Sequence, residues 1–523
     1  MVKYLLAAEA DKIQDLLFRS SHLREVAGGS QMLTEFCKTT ARNLAQEHSG
    51  RWIISEGGGF RVLFDDSALA LTFGDALAEA YRRNLGGTLT IATPEPLAEP
   101  VEQHFRAASN QAHQSLRQAK QHQARFIASE HIPYVAFCVS CGVGLSIVHT
   151  KISQQNVQGQ YLCSSCKSKS AVWNEHKLKD FLGPFYAELE RQHSYENIPV
   201  AEDVGKLDHR NYVAYLAADG NSMGCVFSQC ATDSKLRDLS ENLPKTIRAS
   251  LAEPTRTLIE LPEVREKMGD RVAVLPLIMG GDDLFALIPA PWALDFAYRF
   301  AQAYEENAKL LVKDITGASP PTISIAVVIC KAKYPYYLAH QRGEELLKAA
   351  KRMVKRWAFE NHQPLRSTIA FDVILGSRLA GEEPERGTYR STLQPYWVRE
   401  NVSNWGLSTS HLIAQRFELR KLPHKRLAQL RRHFDRLSSL VDQESAREEW
   451  AKQLEKLMRR ILKVSDKDET IPKTLEALGG KALYRVSRPS DEENWYGHAF
   501  PDLISAWDYT YSLCRSRADY DEE

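Results

Sequence analysis

Two apolar runs, Val272-Ala-Val-Leu-Pro-Leu-Ile-Met279 and Leu284-Phe-Ala-Leu-Ile288, enclose Gly280, Gly281, Asp282 and Asp283. Short apolar runs separated by so few residues read as two buried strands joined by a tight hairpin. The glycines permit positive φ and close backbone approach at the tip. Two adjacent carboxylates at the end of buried strands repel each other unless a divalent cation sits between them and a phosphate. An ordinary turn with solvated acids is the competing reading, so the weight falls on a third acid.

Asp219 is that acid. Tyr212 to Ala218 is a short apolar strand that ends in Asp219 and Gly220. Three carboxylates brought together beside nucleotide phosphates would meet the needs of two-metal nucleotidyl transfer. An EF-hand reading of Asp219 and Asn221 fails, because its twelfth position would be Cys230 rather than a bidentate glutamate.

The order of elements around these acids is regular. The pattern predicts a strand over 212–219, a helix over 234–253, the hairpin over 271–288 and a helix over 291–313. A β-branched strand over 321–329, an amphipathic helix over 343–351 and a strand over 367–374 follow. This is a βαββαβ core with one added helix and strand, the ferredoxin-like plan.

With these pieces in view, the chain resembles the large polymerase/cyclase subunit of type III CRISPR effector complexes. The matching segments are Asp219 to Gly224, Gly280 to Asp283, Thr322 to Ala326 and Leu346 to Lys351. The resemblance implies that Asp219, Asp282 and Asp283 hold two Mg²⁺ or Mn²⁺ ions, with the Gly220 carbonyl as a further ligand. It also implies that Gly280 and Gly281 line a nucleotide site and that Lys348 and Lys351 meet the triphosphate of ATP. The expected activity is nucleotidyl transfer from ATP to cyclic oligoadenylate, switched on by target RNA. Expected partners are other effector subunits, guide RNA and target RNA, in the cytoplasm.

The N-terminal part carries a second, altered copy. Tyr4 to Asp11 is a strand candidate, and Trp52 to Phe64 repeats the strand, glycine turn and strand of the later hairpin. Here Gly59 and Phe60 are taken to stand where Asp282 and Asp283 stand later. Arg19 to Ser30 resembles the family's first-palm signature. Gly28, Gly29 and Ser30 could offer backbone amides to the phosphates of a second ATP. Equally, these small residues could let a helix pack closely. Both readings stand at this point.

Between the copies lie Cys138 and Cys141, then 21 residues, then Cys163 and Cys166. Paired CxxC knuckles of this kind indicate a structural zinc ribbon. The remaining cysteines, Cys37, Cys225, Cys230, Cys330 and Cys514, read as packing residues. The expected class is therefore α+β. A degenerate first palm spans 1–132, a zinc-ribbon insertion 133–185, the catalytic palm 186–376 and a helical domain 377–523.

Composition limits the alternatives. The 523 residues are 43% hydrophobic with a net charge of +1, which gives no global attraction to nucleic acid. The early acids at Glu9 and Asp11 argue against a secretory signal, and no apolar run reaches spanning length. No His-Asp dipeptide occurs, so the HD-type nuclease of many family members is not expected. One local basic stretch holds Arg416, Arg420, Lys421, Lys425, Arg426, Arg431, Arg432 and Arg436 against Glu418 and Asp435. It reads as a solvated helix face or as a surface near RNA, and the acidic tail from Asp519 to Glu523 reads as disordered. Two other functions remain open: a catalytically silent RNA-binding scaffold, and a stand-alone dinucleotide cyclase.

Overall fold

The computed structural model describes residues 2–20, 23–121, 136–150, 160–172, 175–189, 200–269, 271–313, 315, 319–375, 392–436, 444–479, 484–486 and 495–521. Two sheets organise the chain. The first holds β1 (Val2–Ala10), β2 (Arg51–Glu56), β3 (Gly59–Phe64), β4 (Leu89–Ile91) and β5 (Glu95–Ala98). A two-stranded hairpin follows, β6 (Val148–Thr150) with β7 (Gln160–Leu162). The second sheet holds β8 (Tyr212–Asn221), β9 (Leu275–Gly280), β10 (Asp283–Pro289), β11 (Thr322–Lys331), β12 (Thr368–Val373) and β13 (Tyr396–Trp397).

Both sheets share one strand order. The first runs β2-β3-β1-β4, and the second contains β9-β10-β8-β11, each the second, third, first and fourth strand of its unit. In both, neighbours along this path pair antiparallel where the register is given, as a βαββαβ unit requires. The second sheet is then extended by β12, parallel to β11 across the helix Tyr336–Asn361, and by β13.

The two units contact each other reciprocally. The first unit's helix Leu23–Glu35 packs on β9, and the second unit's helix Asp233–Glu260 packs on β2. Each hairpin is thus covered by the other unit's leading helix, the self-complementary geometry of a two-fold contact. Arg237 donates to the Trp52 carbonyl at 2.9 Å and lies 4.8 Å over the Trp52 ring, and Arg51 pairs with Asp233. Phe18 stacks on His340 with ring centroids 3.5 Å apart and meets Phe285 edge-on at 4.9 Å. At the tips, a Cβ on Gly57 would lie 3.8 Å from the Gly281 backbone nitrogen, so the two glycine turns face each other.

The register corrects the sequence alignment of the copies by one position. Glu9 pairs with Gly59 as Asp219 pairs with Asp283, and Glu56 faces Gly59 as Gly280 faces Asp283. Gly58 and Gly59 therefore stand at Asp282 and Asp283, not Gly59 and Phe60. Gly57 and Gly281, now equivalent, both have positive φ, at 56° and 59°. The irregular pairing, between Trp52 and Ile54 and between Phe285 and Ala286, falls at equivalent places in the two hairpins; it is the run of three glycines, Gly57 to Gly59, that allows two alignments of the tips in the sequence.

Three further expectations change. Residues beyond 377 are not purely helical, since β13 joins the second sheet and β14 (Tyr484–Val486) pairs with β15 (Trp495–Gly497). The tail is ordered as far as Asp521: Tyr520 is buried, its ring edge-on to Tyr511 and Phe417. Cys37, Cys230 and Cys330 are buried as expected, but Cys225 and Cys514 are exposed. No helix among the described residues is long and apolar enough to cross a membrane.

Gly28 and Gly29 lie inside the Leu23–Glu35 helix, where it crosses the helix Ser164–Val172. A Cβ on Gly28 would fall 2.2 Å from the Lys169 carbonyl oxygen, and one on Gly29 would fall 2.9 Å from a Leu17 methyl. The structure thus favours helix packing for these two glycines. Gly28→Ala is expected to lower stability by ~1–3 kcal/mol, because the opposing atom is backbone and both helices must separate. Denaturant unfolding would show it as a lower midpoint.

Candidate active site

The second sheet gathers the acids by register. Asp219 at the end of β8 is the direct cross-strand partner of Asp283 at the start of β10, and Ser324 of β11 flanks Asp219 on its other side. Asp282 leans over β8: a Cβ on Gly220 would lie 3.1 Å from the Asp282 Oδ2 and 2.7 Å from Met223 Cγ. Only a residue without a side chain leaves room there for the carboxylate. Lys351, from the helix Tyr336–Asn361, forms an ion pair with Asp219 and donates to the Gly220 carbonyl at 3.3 Å. Lys348, one turn earlier, is exposed.

The three acids are neighbours, but their oxygens are not drawn into one tight group. Among the described residues, the one set of three or more potential metal ligands within 4.8 Å of each other consists of cysteines. Like charge holds the carboxylates apart, and Lys351 claims Asp219. Burial, reinforced by the negative charge of Asp219, pushes Asp282 up to about 6. Burial, with Asp282 and Asp219 nearby, pushes Asp283 well above the usual carboxylate range. Carboxylates whose charge is disfavoured until a cation arrives, beside the Gly220 carbonyl that Lys351 now occupies, form the hard oxygen set that magnesium or manganese takes.

A stability consequence follows. Because Asp282 binds its proton more tightly folded than unfolded, its contribution is present below the ordinary value of 3.8 and is lost as pH rises through about 6. Asp282→Asn is therefore expected to raise the melting temperature at pH 7 in the absence of divalent ions. The gain should vanish by pH 4, as thermal scans across that window would reveal.

A cleft of about 1090 Å³, counting its open mouth, runs from these acids to the first unit. The second unit lines it with Asp219, Gly280, Asp283, His340 and Glu344. The first unit contributes Ser30, Thr34, Lys38, Glu56 and Gly57. Arg248 of the helix Asp233–Glu260 adds a second cation, and its buried Nε has no hydrogen-bond partner among the described residues. Lys38 sits on a single π-helical turn, Phe36–Thr40, that continues the Leu23–Glu35 helix. Burial lowers the affinity of His340 for its proton to about 4, so its ring is neutral at physiological pH.

With this geometry in hand, residues 212–359 match the family described as Cas10/Cmr2, second palm domain. This segment resembles a Cas10/Cmr2 palm. The chain is also 24% identical over 263 residues to the CRISPR system Cmr subunit Cmr2 of Pyrococcus furiosus. That alignment covers 46% of this chain and 26% of the relative, so the chain spans only part of it. Among solved structures, Csm1 of T. onnurineus matches with a TM-score of 0.51 at 14% identity, covering 89% of this chain and 65% of that one. A Csm1–Csm4 cassette in complex with AMPPNP matches with a TM-score of 0.52 at 14% identity, covering 86% and 64%. A cassette in complex with pppApApA matches with a TM-score of 0.51 at 14% identity, covering 90% and 65%. These likenesses establish the fold shared with Csm1, and the Cas10/Cmr2 palm contains Asp219, Asp282, Asp283 and Lys351 within its matched span.

The cysteines converge as their spacing predicts. Cys138, Cys141, Cys163 and Cys166 place all four sulfurs within 4.8 Å of one another. Tetrahedral zinc–thiolate bonds of about 2.3 Å set sulfurs roughly 3.8 Å apart, and Cys141 lies 3.9 Å from Cys163. Backbone N–H groups of Gly144 and Cys166 donate to Cys141 and Cys163 at 3.4 Å. The donor set fits zinc with no open coordination position.

The basic stretch is only partly a surface. Arg416 is buried; its Nε donates to the Trp507 carbonyl at 2.9 Å and its guanidinium covers the Trp507 ring at 3.9 Å. Arg431 donates to the Pro501 carbonyl and Ser505 Oγ, and Arg420 covers Phe417. Arg416 is thus a core residue rather than an RNA contact. Arg416→Ala is expected to destabilise the chain by ~3 kcal/mol through unpaired acceptors and lost packing, whereas Lys425→Ala should leave the unfolding midpoint unchanged.

Proposed function

We propose that this chain is a metal-dependent nucleotidyltransferase that converts ATP into cyclic oligoadenylate with release of pyrophosphate, as part of a type III CRISPR effector complex. The carrying observation is the register pair Asp219–Asp283, with Asp282 seated over Gly220 and Lys351 on the same acid. The fold shared with Csm1 cassettes in complex with AMPPNP and pppApApA supports a nucleotide as the occupant of the cleft. In this reading the first unit is a degenerate palm over 1–132, the cysteine module over 133–185 a zinc ribbon, 186–376 the catalytic palm and 377–523 the C-terminal domain.

Two divalent cations would be held by Asp219, Asp282, Asp283 and the Gly220 carbonyl, and would supply charge neutralisation and ease loss of the acceptor hydroxyl proton to water. The chain's own part is positioning. Hydrogen-bonded neighbouring strands set Asp219 opposite Asp283 and the turn carries Asp282 beside them, so side-chain movement without backbone movement would bring the three carboxylates onto the cations. The acceptor 3′-hydroxyl oxygen bonds to the α-phosphorus, the bond to the β-phosphate bridge breaks, and pyrophosphate leaves. Lys351 exchanges its ion pair with Asp219 for the negative triphosphate, and Lys348 lies one turn away on the same helix. Lys38 and Arg248 place positive charge elsewhere on the cleft wall, and Ser30 and Thr34 offer hydroxyls for the second nucleotide. Leu17, Phe181 and Phe285 make the remaining wall apolar and suited to a base.

The reading is tested by incubating the full chain, alone and with its effector subunits, guide RNA and target RNA, with ATP and Mg²⁺. Mass analysis should find pyrophosphate and cyclic adenylates from the wild type and neither from Asp282→Ala/Asp283→Ala. Equal product from both would remove the site assignment. No product from the fully assembled, RNA-bound complex would favour the silent scaffold.

A further inference from the structure

The nucleotide reading uses the cleft and leaves unexplained a buried polar network behind it. Glu25, on the Leu23–Glu35 helix, is 1% exposed. Its Oε2 accepts from the hydroxyls of Ser20 and Ser140, and its Oε1 accepts from Ser170 Oγ at 2.8 Å. Ser140 lies inside the first cysteine knuckle, between Cys138 and Cys141, and Ser170 lies one turn beyond Cys166. Lys169, itself 4% exposed, donates to the Leu16 carbonyl at 2.5 Å, and its backbone presses on Gly28. The same helix carries Ser30, Leu33 and Thr34 into the cleft, and Leu17 lines the cleft beside Leu16.

We infer that Glu25 is a positioning residue that links the four-cysteine site to the nucleotide cleft: a metal held by the knuckles fixes Ser140 and Ser170, and through Glu25 these fix the first unit's wall of the cleft. A buried carboxylate with three hydroxyl donors has one satisfied arrangement. Losing the knuckle withdraws two of the three donors and leaves the charge undersolvated, which shifts the helix toward other arrangements. The inference rests on the proposed nucleotide reading for its functional meaning.

Coupling of this kind is reciprocal, so a nucleotide that binds the ordered wall must also retain the metal. The full chain loaded with zinc is brought to equilibrium with a chromogenic chelator, with and without a non-hydrolysable ATP analogue and Mg²⁺. The analogue is expected to tighten zinc binding by roughly 5-fold or more, the lower end of ordinary coupling. In Glu25→Gln, and in the milder Ser170→Ala, zinc content without chelator should stay at wild-type level while the tightening falls toward unity. Equal tightening in wild type and both variants would overturn the link.

Hydrogen exchange of residues 23–40, without nucleotide, separates this from the parent reading. Zinc removal should raise exchange there in the wild type and change it less in Glu25→Gln. If the analogue fails to bind but exchange responds to zinc, the nucleotide reading fails and the link stands. If the analogue binds while exchange and the tightening of zinc binding are insensitive to the variants, the link fails alone.

Discussion

Asp219→Ala and Asp283→Ala are each expected to reduce pyrophosphate release by ~10³-fold or more, equivalent to about 4 kcal/mol of lost transition-state stabilisation. Both side chains are half-buried at strand ends rather than in the apolar core, so the fold should persist. Removing one acid also relieves repulsion on the others, so the variants should melt no lower than wild type without divalent ions. Lys351→Ala is a different case. It frees Asp219 while removing a cation from the triphosphate, and should raise KM for ATP more than it lowers kcat. Steady-state kinetics on the four proteins, with circular dichroism as a control for folding, would check this pattern. Wild-type rates in either aspartate variant would contradict it.

The second large effect concerns the cysteine module. Its buried cluster contains the four cysteines and Leu162, while Val139, Val143, Leu145 and Ile147 are exposed. With so few apolar residues in that cluster, an ion held by the four thiolates would supply much of the folding free energy, on the order of 10–16 kcal/mol for structural zinc. Cys163→Ser/Cys166→Ser is expected to abolish stoichiometric zinc binding and to expose residues 136–172 to proteolysis. Metal analysis and limited digestion would report both. Full protease resistance in a metal-free variant would show that packing alone holds the module.

The second sheet was legible because its strands are apolar and its acids sit near strand ends, where period and punctuation coincide. The sequence expects the three acids to converge if their strands are neighbours, and the ladder sets Asp219 opposite Asp283. The earlier hairpin was legible in type but not in register, since three consecutive glycines can be set against Gly280 and Gly281 in two ways and only the ladder chooses between them. Helix length was understated: Pro335 opens a helix that runs to Asn361, and Pro244 and Pro254 lie within another that continues to Glu260. Arg416 misled because its linear neighbours are charged, while its partners, Trp507, Tyr511 and Tyr520, arrive from about a hundred residues away.

The cleft's far wall was largely missed for the same reason. Thr34, Lys38, Glu56 and Arg248 carry no motif, and they meet only because each unit's leading helix crosses to the other's hairpin. Ser30 was singled out beside Gly28 and Gly29 as one phosphate-binding run. On a helix, consecutive residues point in different directions, so Ser30 reaches the cleft while its neighbours meet Lys169. Glu25 carries no signal in the sequence, because Arg24, Gln31 and Glu35 are polar residues of the same helix and nothing sets it apart from them.

Manganese binding measured by electron paramagnetic resonance, in the presence of a non-hydrolysable ATP analogue, tests the shared-cation site most directly. The wild type should retain two ions per chain, and Asp219→Ala/Asp283→Ala should retain neither with comparable affinity. Unchanged stoichiometry and affinity in the double variant would mean that these carboxylates do not hold the metal.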